Sequence, residues 1–405
     1  MRTKNCVAAL LAIGALAVPA VASATQPRPV VAAPAPPQEF APGDATFFDI
    51  PDPIPAGTHG DLIRWQFVDT PFQLTYRIMY LSETVAGAPT VVTGLVAAPD
   101  EAPPFGGFPL LVHGHGSLGL ADACAPSRAI DAADSANAEE FDGLGTTATS
   151  DGFIVASSDF EGIGGPGRHP FFVGLSEGRS MLDAGLAARQ LPVLYVGAPT
   201  TIAGFSQGGH AALWATQLAP EWTPQHLIMG TVVVAAGSEV SDLARAGFAD
   251  PALGLLPAAM VAGLAAISPD AEAALALMLT PSGRELVALL DESCFQDDVT
   301  WPEPPYLTAD PTTVEPYASL FAANTAGTAA SATPILMFHG DADTNIPLAQ
   351  SDALLDRLCA AGQVVERRIL VGANHLVTNS QSRQEFLTWL LGLTTGAAPI
   401  SSCLR

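Results

Sequence analysis

The sequence predicts an α/β fold built on a mostly parallel central sheet. Strand pairs come first along the chain, and strand–helix alternation follows. Several strands are short continuous apolar runs, the pattern of strands buried on both faces of a parallel sheet. The alternation breaks once, over residues 238–330, which are rich in Ala, Leu and Pro and read as a helical cap inserted between two sheet strands.

The elements follow in order. Residues 1–24, "MRTKNCVAALLAIGALAVPAVASA", place Arg2 and Lys4 before an apolar stretch from Cys6 to Val18 and end in the small-residue run Ala22-Ser23-Ala24. This is the form of a secretory signal peptide cleaved after about Ala24. The apolar stretch is too short for a membrane span and ends at Pro19. Residues 25–43 are Pro- and Ala-rich and read as an extended, poorly ordered leader, so the folded domain is expected over 44–405. "LIRWQFV", "FQLTYRIMYLS" and "PTVVTGLVAAP" alternate or carry β-branched and aromatic residues, as strands do. "FPLLVHG" (108–114) and "GFIVASSDF" (152–160) are apolar runs. "GRSMLDAGLAARQL" (178–191) has helical spacing. "TTIAGF" reads as a strand leading into the helix "GGHAALWATQLA", and "IMGTVVVAAG" (228–237) as the next strand. "PILMFHG" (334–340) and "ERRILVG" (366–372) are the last strands, and "RQEFLTWLLG" (383–392) is a closing helix. Within the cap, 252–268 approaches the length of a membrane span. Pro257, two glycines and the following Asp270 and Glu272 argue against one.

Composition narrows the function classes. Half the chain is apolar (49%), only 14% is charged, and the formal net charge is −24. The only lysine, Lys4, and Arg2 lie in the signal segment, so the exported chain is more acidic still. Such a surface repels phosphate backbones and anionic membranes, which excludes nucleic-acid binding and leaves neutral esters and lipids as compatible substrates. Beyond Cys6, four cysteines remain: Cys124, Cys294, Cys359 and Cys403. An even count in an exported chain suggests two disulfides with three connectivities, of which Cys124–Cys294 with Cys359–Cys403 is favoured. Closing the second loop would constrain the unfolded chain by roughly 4 kcal/mol in the entropic picture.

The chemistry centres on "GFSQG". Gly204-Phe205-Ser206-Gln207-Gly208 is a G-x-S-x-G between a strand and a helix, where glycines on both sides let a sharp turn hold the hydroxyl at the strand's end. A serine nucleophile needs a base, and the base needs an orienting acid, in the chain order Ser, acid, His. His210 lies four residues along the same helix, which carries it away from the hydroxyl, so it reads as packing. His169 and His226 have no strand context, and His339 sits at a strand end. His375, in "VGANHLVT", follows the last predicted strand and is the expected base. The acid comes from "HGDADTNIP": Gly340, Asp343, Ile346 and Pro347 match a Gly-x-x-Asp-x-x-Val/Ile-Pro spacing, so Asp343 is expected, with Asp341 as the alternative. The same stretch begins like a calcium loop. That loop needs Gly sixth and Glu twelfth, where Ile346 and Asp352 stand. Negative charge on the tetrahedral intermediate calls for two backbone N–H donors, assigned to Gln207 and, in the open "HGHGS" turn, to His115 with Gly116 close behind. His113-x-His115 lacks a third ligand at sensible spacing, so no metal and no cofactor are expected.

"LLVHGHGSLGLADACAPSR", "SSDFEGIG", "EGRSMLDAGLAARQL", "GFSQGGHAALWA", "HGDADTNIP" and "GANH" occur in that order. From about residue 60 to the end, the chain resembles the secretory lipase family of the Candida antarctica lipase A type. The resemblance implies an α/β-hydrolase with a helical lid, an extracellular location, two disulfides and no cofactor. It also implies hydrolysis of triacylglycerols or other carboxylic esters by Ser206, Asp343 and His375, with Gln207 as one oxyanion donor. The apolar cap suggests a hydrophobic acyl chain and transient contact with a lipid interface; a helical layer that merely buries its apolar face carries nearly equal weight. A short-chain carboxylesterase and a polyester or feruloyl-type esterase share the same triad. A non-catalytic binding module ranks lower, because all three residues are present. Oligomeric state is not legible.

Overall fold

The computed structural model describes residues 35–70, 73–131, 136–250 and 253–403. The signal segment 1–24 and the first part of the leader lie outside the described residues. The centre is a ten-stranded sheet in the order β1-β2-β3-β4-β6-β5-β7-β8-β9-β10. Its first four strands are β1 (Gln38–Phe40), β2 (Leu62–Val68), β3 (Leu74–Glu83) and β4 (Pro89–Ala98). Then come β5 (Phe108–Gly114), β6 (Ile154–Ser158), β7 (Val196–Phe205), β8 (Leu227–Val234), β9 (Ile335–Gly340) and β10 (Val365–Leu370). From β6 through β5 to β10 every neighbour pairs in parallel; β2, β3, β4 and β6 pair antiparallel in turn. This is the α/β-hydrolase fold.

The leader needs a correction. Gln38–Phe40 pair in parallel with Arg64–Gln66, so the sheet begins inside the segment read as poorly ordered. Composition misled because three residues on a sheet edge need no apolar pattern of their own. Gln66 also reaches back, donating from Nε2 to the carbonyl of Ala41 at 2.7 Å.

The parallel strands are apolar throughout because both faces are covered. Leu110 and Val112 face one core with Met181 and Leu182 of α3 (Gly174–Ala188) and Ala211 and Leu213 of α4 (Gln207–Trp222). Leu111, between them, faces a second core with Phe141 and Leu144 of α2 (Ala136–Ser150) and Phe386, Leu387 and Leu390 of α11 (His375–Thr394). Each such fully buried side chain contributes about 1.5–3 kcal/mol. The short α1 (Pro126–Ala129) precedes α2, and α10 (Leu348–Ala360) joins β9 to β10.

Between β8 and β9 the described residues form the α-helices α5 (Val240–Ala249), α6 (Leu255–Ala265), α7 (Pro269–Met278), α8 (Pro281–Leu290) and α9 (Tyr317–Ala323). They enclose a third apolar core, with α6 buried along most of its length. Ser268 and Thr280 cap α7 and α8, each accepting a backbone N–H, and proline follows each cap. Among the described residues no helix is long and apolar enough to cross a membrane.

Disulfides join Cys124 to Cys294 and Cys359 to Cys403. The first fastens the loop after β5 to the segment after α8, where the Phe295 N–H also donates to the Leu118 carbonyl at 2.8 Å. The second holds the C-terminal tail against α10.

Candidate active site

Ser206 lies on the turn from β7 into α4, with φ +55° and ψ −115°, in a region that L-residues rarely occupy. Close packing imposes the turn. A side chain at Gly204 would overlap the carbonyl of Gly208, and one at Gly208 would overlap the carbonyls of Gly114 and His115. The helix therefore starts directly against the end of β5. The Ser206 N–H donates to the Val234 carbonyl at 2.9 Å, which locks the elbow to β8.

His375 is not on a loop: it is the first residue of α11, which starts eight residues before the helix expected at 383–392. Asn374 caps that helix, accepting the Val377 N–H at 3.0 Å, and so fixes the imidazole's position. His375 Nε2 lies 2.9 Å from Ser206 Oγ, and Nδ1 lies 2.7 Å from Asp343 Oδ2. Asp343 Oδ1 accepts the N–H groups of Asn345 and Ile346, both at 2.9 Å. Burial alone would raise the Asp343 carboxyl. The His375 bond and the Ile346 N–H outweigh it and hold the acid below its ordinary range. Asp341 instead points outward and accepts the Gly372 N–H at 2.6 Å. The three residues are each about 8% exposed, and the Asp343 side chain is fully buried. The arrangement lets a hydroxyl proton pass to an imidazole whose other nitrogen donates to a fixed carboxylate.

The Gln207 N–H opens α4, where first-turn donors have no partner within the helix. His115 follows β5 directly with its side chain buried, and its Nδ1 donates to the Gly116 carbonyl at 2.6 Å. The Gly116 N–H is already spent, on Glu140 Oε2 at 2.9 Å. His113 is held by Ser157 and faces Glu140, not a metal partner for His115; among the described residues no cluster of three or more His, Cys, Asp or Glu could hold a metal ion.

A buried polar network beneath the elbow was not legible in the sequence. Gln207 Nε2 donates to Glu177 Oε1 at 2.7 Å and to His169 Nε2 at 2.8 Å. His169 donates through Nδ1 to the Glu161 carbonyl, and burial pulls its pKa down to about 4, so it is neutral and Nε2 accepts. His210 does more than pack. Its Nδ1 meets Glu177 Oε2 at 2.9 Å, and its Nε2 donates to the Asn324 carbonyl, just past α9, at 2.8 Å. Glu177 and both histidines are fully buried. The "EGRS" helix start carried the only signal, an acid on the apolar face of α3.

A cavity of about 1060 Å³ opens over Ser206 and His375. Its lining includes Leu243, Leu255 and Leu256 with Asp242 from α5 and α6, Glu140 of α2, and Asn379 and Arg383 of α11.

The profile of the family described as "Secretory lipase" matches residues 144–401. Lipase A of Moesziomyces aphidis is 32% identical over 142 residues, which cover 34% of this chain and only 29% of that protein. A Mycobacterium tuberculosis (strain CDC 1551 / Oshkosh) protein named as a probable inactive lipase, MT1628, is 25% identical over 86% of this chain and 81% of its own length. Among solved structures, Candida antarctica lipase A superposes with a TM-score of 0.73 at 20% identity, over 86% of this chain and 84% of its own. The rice cell wall degrading esterase LipA from Xanthomonas oryzae follows at 0.67 and 17%, over 84% of this chain and 99% of its own.

Proposed function

This chain belongs to the secretory lipase family of ester hydrolases, and from that premise we propose that it is an exported serine hydrolase acting on triacylglycerols through Ser206, His375 and Asp343. The observation that carries the reading is the continuous chain of bonds from Ser206 Oγ through His375 to Asp343. His375 takes the hydroxyl proton through Nε2 as Ser206 Oγ attacks the ester carbonyl. The oxyanion is received by the N–H groups of Gln207 and His115. His375 then protonates the departing alcohol, and water, activated by the same imidazole, releases the acid and frees Ser206. Asp343 holds the Nδ1–H tautomer and stabilises the imidazolium without taking the proton.

Two further features support the substrate class and location. The cavity exceeds what a short soluble ester needs, and the α5–α6 segment lines it mostly with apolar side chains, Leu243, Leu253, Leu255 and Leu256, beside Glu239 and Asp242, which suits a long acyl chain. The helices between β8 and β9 supply that lining and act in this reading as a lid. Two disulfides support an oxidising, extracellular setting.

The test is Ser206→Ala assayed on p-nitrophenyl butyrate and laurate, with triglycerides of increasing chain length below and above their solubility. Loss of turnover and a rate jump on long-chain emulsions are expected; undiminished turnover in the variant would remove the assignment. A second reading is favoured by one observation, the relative named as a probable inactive lipase. Labelling by a fluorophosphonate probe separates the two: a binding module leaves Ser206 unlabelled.

A further inference from the structure

Glu140 stands behind the oxyanion turn and takes no part in the triad. Its carboxylate is held on α2 with only 15% of the side chain exposed. Oε2 accepts the Gly116 N–H at 2.9 Å, and Oε1 lies 3.3 Å from His113 Nε2. On the next peptide along, His115 Nδ1 donates to the Gly116 carbonyl at 2.6 Å. Both backbone groups of Gly116 are therefore held by side chains, in a stretch that belongs to no strand or helix.

The polar groups that touch Glu140 favour an ionised clamp. Burial disfavours its charge. His113, the Gly116 N–H and the neighbouring His115 favour it and prevail, leaving the carboxyl below its ordinary range. Arg383, packed against Gly143 one turn along α2, adds a further positive field, while Glu139 lies near that guanidinium. One N–H carries one hydrogen. The Gly116 N–H, committed to a carboxylate, is not free for an oxyanion, which leaves the His115 N–H as the turn's donor.

We propose that Glu140 is a positioning residue for ester hydrolysis: by gripping the Gly116 N–H it fixes the turn so that the preceding N–H, of His115, stays aimed at the oxyanion. The inference rests on the hydrolase reading above. It is specific about chemistry, since what the turn needs is an acceptor at the right reach. Gln supplies that acceptor without the charge, and Asp supplies the charge about one methylene short.

The experiment compares Glu140→Gln and Glu140→Asp with the wild type. Readouts are kcat and KM on p-nitrophenyl butyrate, inhibition by a phenylboronic acid that forms a tetrahedral adduct, melting temperature, and exchange of the Gly116 amide in 15N-glycine-labelled protein. E140Q is expected to stay within about threefold of wild type. E140D is expected to lose about tenfold in kcat with KM nearly unchanged, to bind the boronic acid more weakly by the same factor, and to exchange the Gly116 amide faster. An E140D enzyme equal to an active wild type overturns the clamp. So does E140Q impaired as much as E140D, because charge and not reach would then matter, and so does a loss confined to KM. A wild-type chain inert toward every ester overturns the hydrolase reading itself, an outcome distinct from an active wild type with unaffected variants.

Discussion

Substituting alanine at Gly208 tests how the elbow is built. An ideal Cβ there would stand 2.6 Å from the His115 carbonyl oxygen and closer still to that of Gly114, at least about 0.8 Å short of ordinary contact. Both obstacles are backbone at the end of β5, so no side chain can swing aside. The start of α4 must move away from the turn by something near 1 Å. That gap separates the two proposed oxyanion donors, Gln207 on α4 and His115 on the turn. A misplacement of 1 Å costs about 10²-fold, and losing one donor costs about 10²–10³-fold, so kcat should fall by about 10²-fold. Overpacking should also remove about 1–3 kcal/mol of stability. The assay is kcat and KM on p-nitrophenyl butyrate, with a thermal melt to confirm that the variant is folded at the assay temperature. A folded G208A enzyme within threefold of the wild-type kcat would refute the reasoning, since the elbow would then tolerate separation from β5.

Two further outcomes are expected. Asp343→Asn should lower kcat by about 10⁴-fold by presenting the wrong tautomer, whereas Asp341→Asn, whose carboxylate accepts the Gly372 N–H away from His375, should stay within a few-fold; equal losses would mean that the acid is misassigned. His226 is buried, its two ring nitrogens have no hydrogen-bond partner among the described residues, and burial, helped by Arg189, lowers its pKa to about 4. Unfolded, it takes a proton near pH 6.5 that the folded chain refuses until about pH 4. Stability present above pH 6.5 is therefore lost as pH falls toward 4, by about 3 kcal/mol. His226→Leu should flatten the acid limb of melting temperature against pH, and an unchanged limb would count against this account.

Legibility in the sequence followed the range of the interactions. The parallel strands were readable because burial on both faces leaves an unbroken apolar run, and β5 was read with its observed bounds, 108–114. Helix α2 was not, because Gly143, Gly145 and three threonines give it poor helical propensity; packing of Phe141 and Leu144 on the sheet holds it. Ser206, Asp343 and His375 could be nominated because each follows a strand in a short motif, and the fold brings the three side chains within hydrogen-bond reach. Glu177 and Glu140 were not, because their partners His210 and Gly116 lie 33 and 24 residues away, and an acid within a helix looks like a solvent-facing residue until the fold buries it. The reach of Asn324 to His210 spans 114 residues and has no local trace at all.

The Cys124–Cys294 bridge limits how the cavity can open. Phe295 and Gln296, which line it, follow directly on Cys294 beside the loop after β5, and Asn324 anchors the far end of the same insert to the elbow helix. The insert is thus tied at Cys294 and at Asn324, and Arg168 pairs with Asp291 close to the first of these. Between these ties run α5 and α6, whose leucines line part of the cavity, with α6 packed on Phe171 at Gly263. Any opening of the cavity would therefore have to bend the insert between its ties, and reducing the bridge would release one of them.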